Sequence, residues 1–113
     1  MLKVFVIEDA EATRLNVERL IGQEEGLQLC GSAAVLTTAR ALLSAQPPDV
    51  VVVALRDGRA DLVQAVKEVV PSARIVATGV DESDDVIDQA IGFGAVKYLP
   101  KPYGAEELLA ALR

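Results

Sequence analysis

Short apolar runs alternate along the chain with stretches whose apolar residues recur at helical spacing. The most continuous run is Pro48-Asp49-Val50-Val51-Val52-Val53-Ala54, four valines with no polar break. Such a run reads as a strand buried on both faces, the centre of a parallel sheet. Leu2-Lys3-Val4-Phe5-Val6-Ile7 is a second central strand, ended by Glu8 and Asp9. Residues 11–24 follow with Thr13, Val17, Leu20 and Ile21 on one helical stripe, and Leu15 off it and expected to be exposed. Gly26 closes that segment. Leu27 to Ala33 is a weaker strand, and Leu36, Ala39, Leu42 and Leu43 mark a short helix ended by Pro47.

Beyond the valine strand, Asp61 stands three residues before Gln64, a spacing that predicts a capping box opening a third helix. Ala73 to Thr78 is a fourth strand. Asp81, Glu82, Ser83, Asp84 and Asp85 place negative charge at the start of a fourth helix, where the macrodipole favours it, and Val86, Ile87, Ala90 and Ile91 form its inner stripe. Val96-Lys97-Tyr98-Leu99 is a short fifth strand before Pro100 and Pro102, and Leu108, Leu109 and Leu112 line a last helix. Strand alternating with helix predicts one α/β domain over residues 1–113, a parallel sheet with helices on both faces. The pattern leaves the strand order open.

Composition narrows the chemistry. Apolar residues make up 51% and aromatics 4% of the 113 residues, so the core is aliphatic. No run is long enough to span a bilayer, and the opening strand leaves no room for a signal peptide, so a cytoplasmic, non-membrane protein is expected. The single cysteine, Cys30, rules out an internal disulfide and fits a reducing compartment. Without histidine there are no histidine zinc sites and no Ser-His or Cys-His nucleophile pairs. A net charge of −6 disfavours direct nucleic-acid binding, which needs a clustered positive surface.

The carboxyl ends of parallel strands converge on one crevice, where ligands and chemistry sit. There the sequence places Glu8 and Asp9, then Ala54, then Thr78, then Lys101. Each alone reads as an ordinary residue, but an acidic pair, a hydroxyl and a lysine at successive strand ends form an unusual set. Arg56, two residues past Ala54, reads equally as a crevice cation or as a solvated loop residue.

These residues carry a resemblance. Val6-Ile7-Glu8-Asp9, Pro48 to Val53, Thr78-Gly79, and above all Gly94-Ala95-Val96-Lys97-Tyr98-Leu99-Pro100-Lys101-Pro102 resemble the receiver domains of two-component response regulators, best those of LuxR-like regulators. The resemblance implies a flavodoxin-like doubly wound sheet of order 2-1-3-4-5. It implies that the acidic pair holds Mg²⁺, that an aspartate ending the third strand accepts a phosphoryl group from a histidine kinase, and that the hydroxyl and lysine bind the phosphoryl oxygens. Glu8 and Asp9 match the acidic pair, Thr78 the hydroxyl, Lys101 the lysine and Tyr98 the switch aromatic. Ala54 falls on the acceptor. A methyl group neither attacks phosphorus nor coordinates a metal. Gly58 stands where the family usually has proline, and Leu62, at the crevice rim, where it usually has glycine after the retained Asp61. The resemblance and the paired prolines also imply a cis Lys101–Pro102 bond.

The reading is thus of a pseudo-receiver that acts through protein contacts, with no catalytic residue, no cofactor and no metal at the degenerate Glu8–Asp9 pair. Two negatives, Glu8 and Asp9, can balance two positives, Lys101 first and Arg56 second. The expected partners are a kinase, an output domain or another receiver, with a homodimer through the face of the fourth helix, fifth strand and fifth helix (Asp84, Asp88, Lys97, Tyr98, Glu107). Two alternatives stand beside it: a receiver using a displaced acceptor, Asp57, and a small nucleotide-binding α/β domain. The second lacks a glycine-rich loop after the first strand, where Glu8-Asp9-Ala10-Glu11 stands.

Overall fold

All five residues of Val50–Ala54 (β3) are buried, as a strand covered on both sides requires. A computed structural model describes residues 1–113, with β3 at the middle of a five-stranded parallel sheet. The other strands are Leu2–Ile7 (β1), Leu27–Ala33 (β2), Arg74–Gly79 (β4) and Ala95–Pro100 (β5), in the order β2-β1-β3-β4-β5. The helices between them are Glu11–Gln23 (α1), Leu36–Ala45 (α2), Asp61–Val69 (α3), Asp84–Gly92 (α4) and Ala105–Leu112 (α5).

Side chains of a strand alternate between faces, and here the alternation divides the core in two. Phe5, Ile7, Val51, Val53, Ile75 and Ala77 meet the apolar stripes of α2, α3 and α4. Val4, Val6, Val50, Val52 and Val76 meet Val17 and Ile21 of α1 and Leu108 and Leu112 of α5. The register pairs Ile7 with Val53 and Ala54 with Thr78, so the strands end level with one another and their next residues face a shared crevice.

Several expected details come out differently. Leu42 and Ile91 are exposed, because each helix contacts the sheet along a narrower stripe than its full set of apolar residues. The Asp61–Gln64 capping box does not form: Ala60 holds the N-cap position with helical dihedrals, so Asp61 already lies in the first turn and pairs with Arg59. A capping side chain acts from an extended residue outside the helix. Leu62 is half-buried and packs against the larger core cluster. Cys30 occupies the irregularity where the β1–β2 register slips, and its thiol donates to the Val4 carbonyl at 3.3 Å. Burial pushes that thiol above its ordinary pKa, which suits a packed residue and not a nucleophile.

Candidate functional site

The first turn after β1 delivers the acidic pair in two different settings. Glu8 is 3% exposed. Its carboxylate accepts from the Ala10 amide at 3.2 Å and from Lys101 Nζ at 2.7 Å, and its carbonyl accepts from Arg14 Nη1 at 2.8 Å. Asp9 stands outside this pocket and pairs with Arg56 Nε at 3.2 Å. The two ion pairs differ in solvation. The Lys101 side chain is 20% exposed against its buried partner, whereas Arg56 and Asp9 are 59% and 36% exposed. The first pair is largely desolvated and costly to break by removing one partner, the second wet and weak.

Lys101 reaches Glu8 because its backbone is held. Its amide donates to the Gly79 carbonyl at 2.7 Å, and the Lys101–Pro102 peptide is cis. On the neighbouring strand Thr78 is buried, and its carbonyl accepts from Leu55 N at 2.7 Å, tying the end of β4 to the residue after Ala54. Ala54, paired with Thr78, is buried and offers a methyl group.

Arg56 is presented by a tight turn. The Arg59 amide donates to the Arg56 carbonyl at 2.9 Å across Asp57 and Gly58, whose φ values are 52° and 68°. Two central residues in the left-handed region are what a type I′ turn demands, and Asp-Gly is its preferred pair. Asp57 is spent on this turn and is exposed.

Tyr98 points inward. Its hydroxyl donates to the Asp81 carbonyl at 2.5 Å, and the ring end lies over Gly79. Burial, then the nearby Asp81 and Glu82 charges, raise its pKa. Its place in the core corrects the expectation that it contributes to the outer face of α4, β5 and α5.

Two contributors escaped the sequence reading. Arg14 clasps a backbone carbonyl, for which no pattern exists. Tyr103 lies beside Lys101, with its phenol pushed up to about 12 by burial and by the Glu8 charge. Tyr103, Lys101, Pro102 and Val80 also line a cleft of about 530 Å³ against Thr13 and Asn16 of α1. Neither Ala54 nor Thr78 opens into it.

The response regulator receiver domain model matches residues 4–113. The chain belongs to the response regulator receiver domain family. The receiver is similar to the response regulator GacA of Pseudomonas aeruginosa, 28% identical over 116 residues that cover 100% of this chain and 54% of GacA. The DNA-binding transcriptional activator DevR/DosR of Mycobacterium tuberculosis is 31% identical, with the same coverage of 100% and 54%. The chain thus spans about half the length of the curated relatives it matches. Among solved structures, the signal receiver domain of the putative response regulator NarL from M. tuberculosis superposes with a TM-score of 0.87 at 25% identity, covering 98% of this chain and 92% of that one. A Burkholderia pseudomallei response regulator with a phosphorylated aspartic acid and a calcium ion gives 0.86 at 28% identity, covering 100% and 67%. The flavodoxin-like order 2-1-3-4-5 and the place in two-component signalling are therefore those of a receiver. No helix of the receiver is long and apolar enough to cross a membrane.

The family's divalent ion does not fit the residues present. Mg²⁺ needs near-octahedral oxygen coordination at about 2.0–2.1 Å. The receiver offers two carboxylates at this crevice, each already paired with a cation, and a methyl where a third would stand.

Proposed function

We propose that this receiver works in two-component signalling through protein contacts, without aspartyl phosphorylation at Ala54. The observation that carries the reading is the buried Ala54 methyl at the acceptor strand end, paired in register with Thr78. In-line attack on phosphorus needs an oxygen nucleophile there, and none is present. Asp57 is no substitute in this reading, because it forms the exposed turn that carries Arg56. The domain has no enzymatic role of its own. Its free, half-buried Cys30 supports a reducing, cytoplasmic setting. Incubation with acetyl phosphate and Mg²⁺ is expected to leave the intact mass unchanged. A labile phosphoryl adduct refutes the reading, and mapping it to Asp57 makes the displaced acceptor the answer.

The partner in the same proposal is a kinase, an output domain or a second receiver, and no nucleic acid is bound directly. The surface offered for a second copy is the face of α4, β5 and α5. There β5 is an edge strand, Val96 and Ile91 are exposed, and Asp84, Asp88, Lys97 and Glu107, on the same elements, are exposed charges of both signs. An apolar centre with a charged rim suits a self-complementary two-fold contact. Val96→Lys is expected to weaken self-association at least tenfold in sedimentation equilibrium. A wild-type chain that stays monomeric at high concentration removes the homodimer and leaves the face to another partner.

A further inference from the structure

We propose that Arg56 is the resident counter-cation of the crevice, standing in for the divalent ion that the crevice no longer fits. The inference rests on the reading of a crevice without phosphoryl chemistry and adds how its acidic pair is neutralised. Lys101 is committed to Glu8 at 2.7 Å, which leaves Asp9 as the free carboxylate of the pair. Arg56 Nε meets it at 3.2 Å. Each carboxylate of the acidic pair therefore has its own cation, and these four side chains carry no net charge.

The loop is shaped for this. The Arg56–Arg59 turn requires a positive φ at Gly58, whose value is 68°. Proline, the residue usual there in the family, is locked near −65° and cannot make this turn. Gly58 and Arg56 are thus parts of one device: the glycine permits the turn, and the turn holds the guanidinium over Asp9. Asp57, in the left-handed region at 52°, completes it. On this proposal the same turn weakens any metal site that a third carboxylate alone would restore. An aspartate at position 54 would find Lys101 and Arg56 already there, and a cation within a few ångströms opposes a divalent ion by direct repulsion.

The test is Mg²⁺ titration followed by amide NMR, on the wild type, Ala54→Asp and Ala54→Asp/Arg56→Gln, each shown folded by its own spectrum. The wild type is expected to give no saturable shift at Glu8, Asp9 or Ala54 at millimolar Mg²⁺. The double variant is expected to bind Mg²⁺ at least tenfold more tightly than Ala54→Asp. Equal affinity in the two variants overturns the proposal, since Arg56 then opposes nothing. So does a double variant that ignores Mg²⁺, or a wild type that binds it saturably. The phosphorylation reading is decided separately, by the mass of the wild-type chain, and survives any of these results.

Discussion

Lys101→Met is expected to destabilise the receiver by about 3 kcal/mol, towards the lower end of the 3–5 kcal/mol seen when one partner of a buried ion pair is removed. The variant leaves the Glu8 carboxylate buried with the Ala10 amide as its remaining donor. The lower end is appropriate because Lys101 is one-fifth exposed and water relieves part of the cost. A small domain has roughly 5–15 kcal/mol in hand, so the variant still folds at room temperature and its urea midpoint can be measured. Glu8→Gln is milder, since the freed ammonium can turn to water. The double variant Glu8→Gln/Lys101→Met recovers most of the loss, because a neutral amide and a methyl-capped chain leave no buried charge. Arg56→Gln, at the exposed pair, is expected to cost about 0–1 kcal/mol. A Lys101→Met midpoint equal to that of Arg56→Gln, with no coupling in the double-mutant cycle, shows that the Glu8–Lys101 contact is no stronger than a surface pair.

The contrast between these two pairs marks what the sequence could disclose. Four consecutive valines and the alternation around them were enough to place every strand within two residues of where it lies. Strand order came from the resemblance, because alternation says nothing about which neighbours pair. Lys101 stood out through its two flanking prolines and Arg56 through its distance from Ala54, but which carboxylate each would take was hidden. That depends on Glu8 turning into the protein and Asp9 away, a single backbone turn after β1. Arg14 and the Asp81 carbonyl were hidden for a different reason: their hydrogen bonds involve backbone groups, which every residue has. The capping box failed because Asp61 and Gln64 carry the right side chains one residue too late, after Ala60 has already entered a helical conformation. The inner stripes of α2 and α4 failed at Leu42 and Ile91, where helical spacing continues past the edge of the sheet face.

The two tyrosines make alkaline stability a second reporter of the crevice. Tyr98 and Tyr103 both hold their protons more tightly folded than unfolded, Tyr103 up to about 12. The unfolded tyrosine value is about 10. Below that value both states are protonated and the stabilisation is fully present. As pH rises through about 10 the unfolded chain loses its protons first, and stability falls until the folded Tyr103 phenol also ionises near 12. The urea midpoint is therefore expected to drop between about pH 10 and 12. A midpoint flat across that window shows that neither ring is as enclosed as its packing indicates.

Gly79→Ala is expected to expel Tyr98 and cost about 2–4 kcal/mol, mainly the burial of an aromatic ring and one hydrogen bond. A Cβ on Gly79 would lie 2.6 Å from the Tyr98 hydroxyl oxygen and 3.5 Å from the Leu55 carbonyl. The backbone contact is tolerable. The hydroxyl contact is not, and the tyrosine, being the flexible partner, swings out. With it goes the bond to the Asp81 carbonyl, the tie between β5 and the loop that leads into α4. The same loop touches the Arg56 turn, where a Cβ on Gly58 would meet Asp81 Oδ2 and Val86 Cγ2 at 3.3 Å each. Gly79→Ala thus disturbs the crevice loop and the proposed partner face through one side chain. Three readouts should move together: the urea midpoint falls, the Tyr98 pKa returns towards its ordinary value in a spectrophotometric titration, and amide shifts change from Asp81 to Tyr98. Tyr98→Phe separates the parts. It keeps the buried ring and loses only the hydroxyl, so it should lower the midpoint by about 1 kcal/mol and leave the ring inside. If Gly79→Ala leaves the Tyr98 titration unchanged, the ring has stayed and the backbone of β4 has moved instead, and the glycine is not what keeps the tyrosine inward.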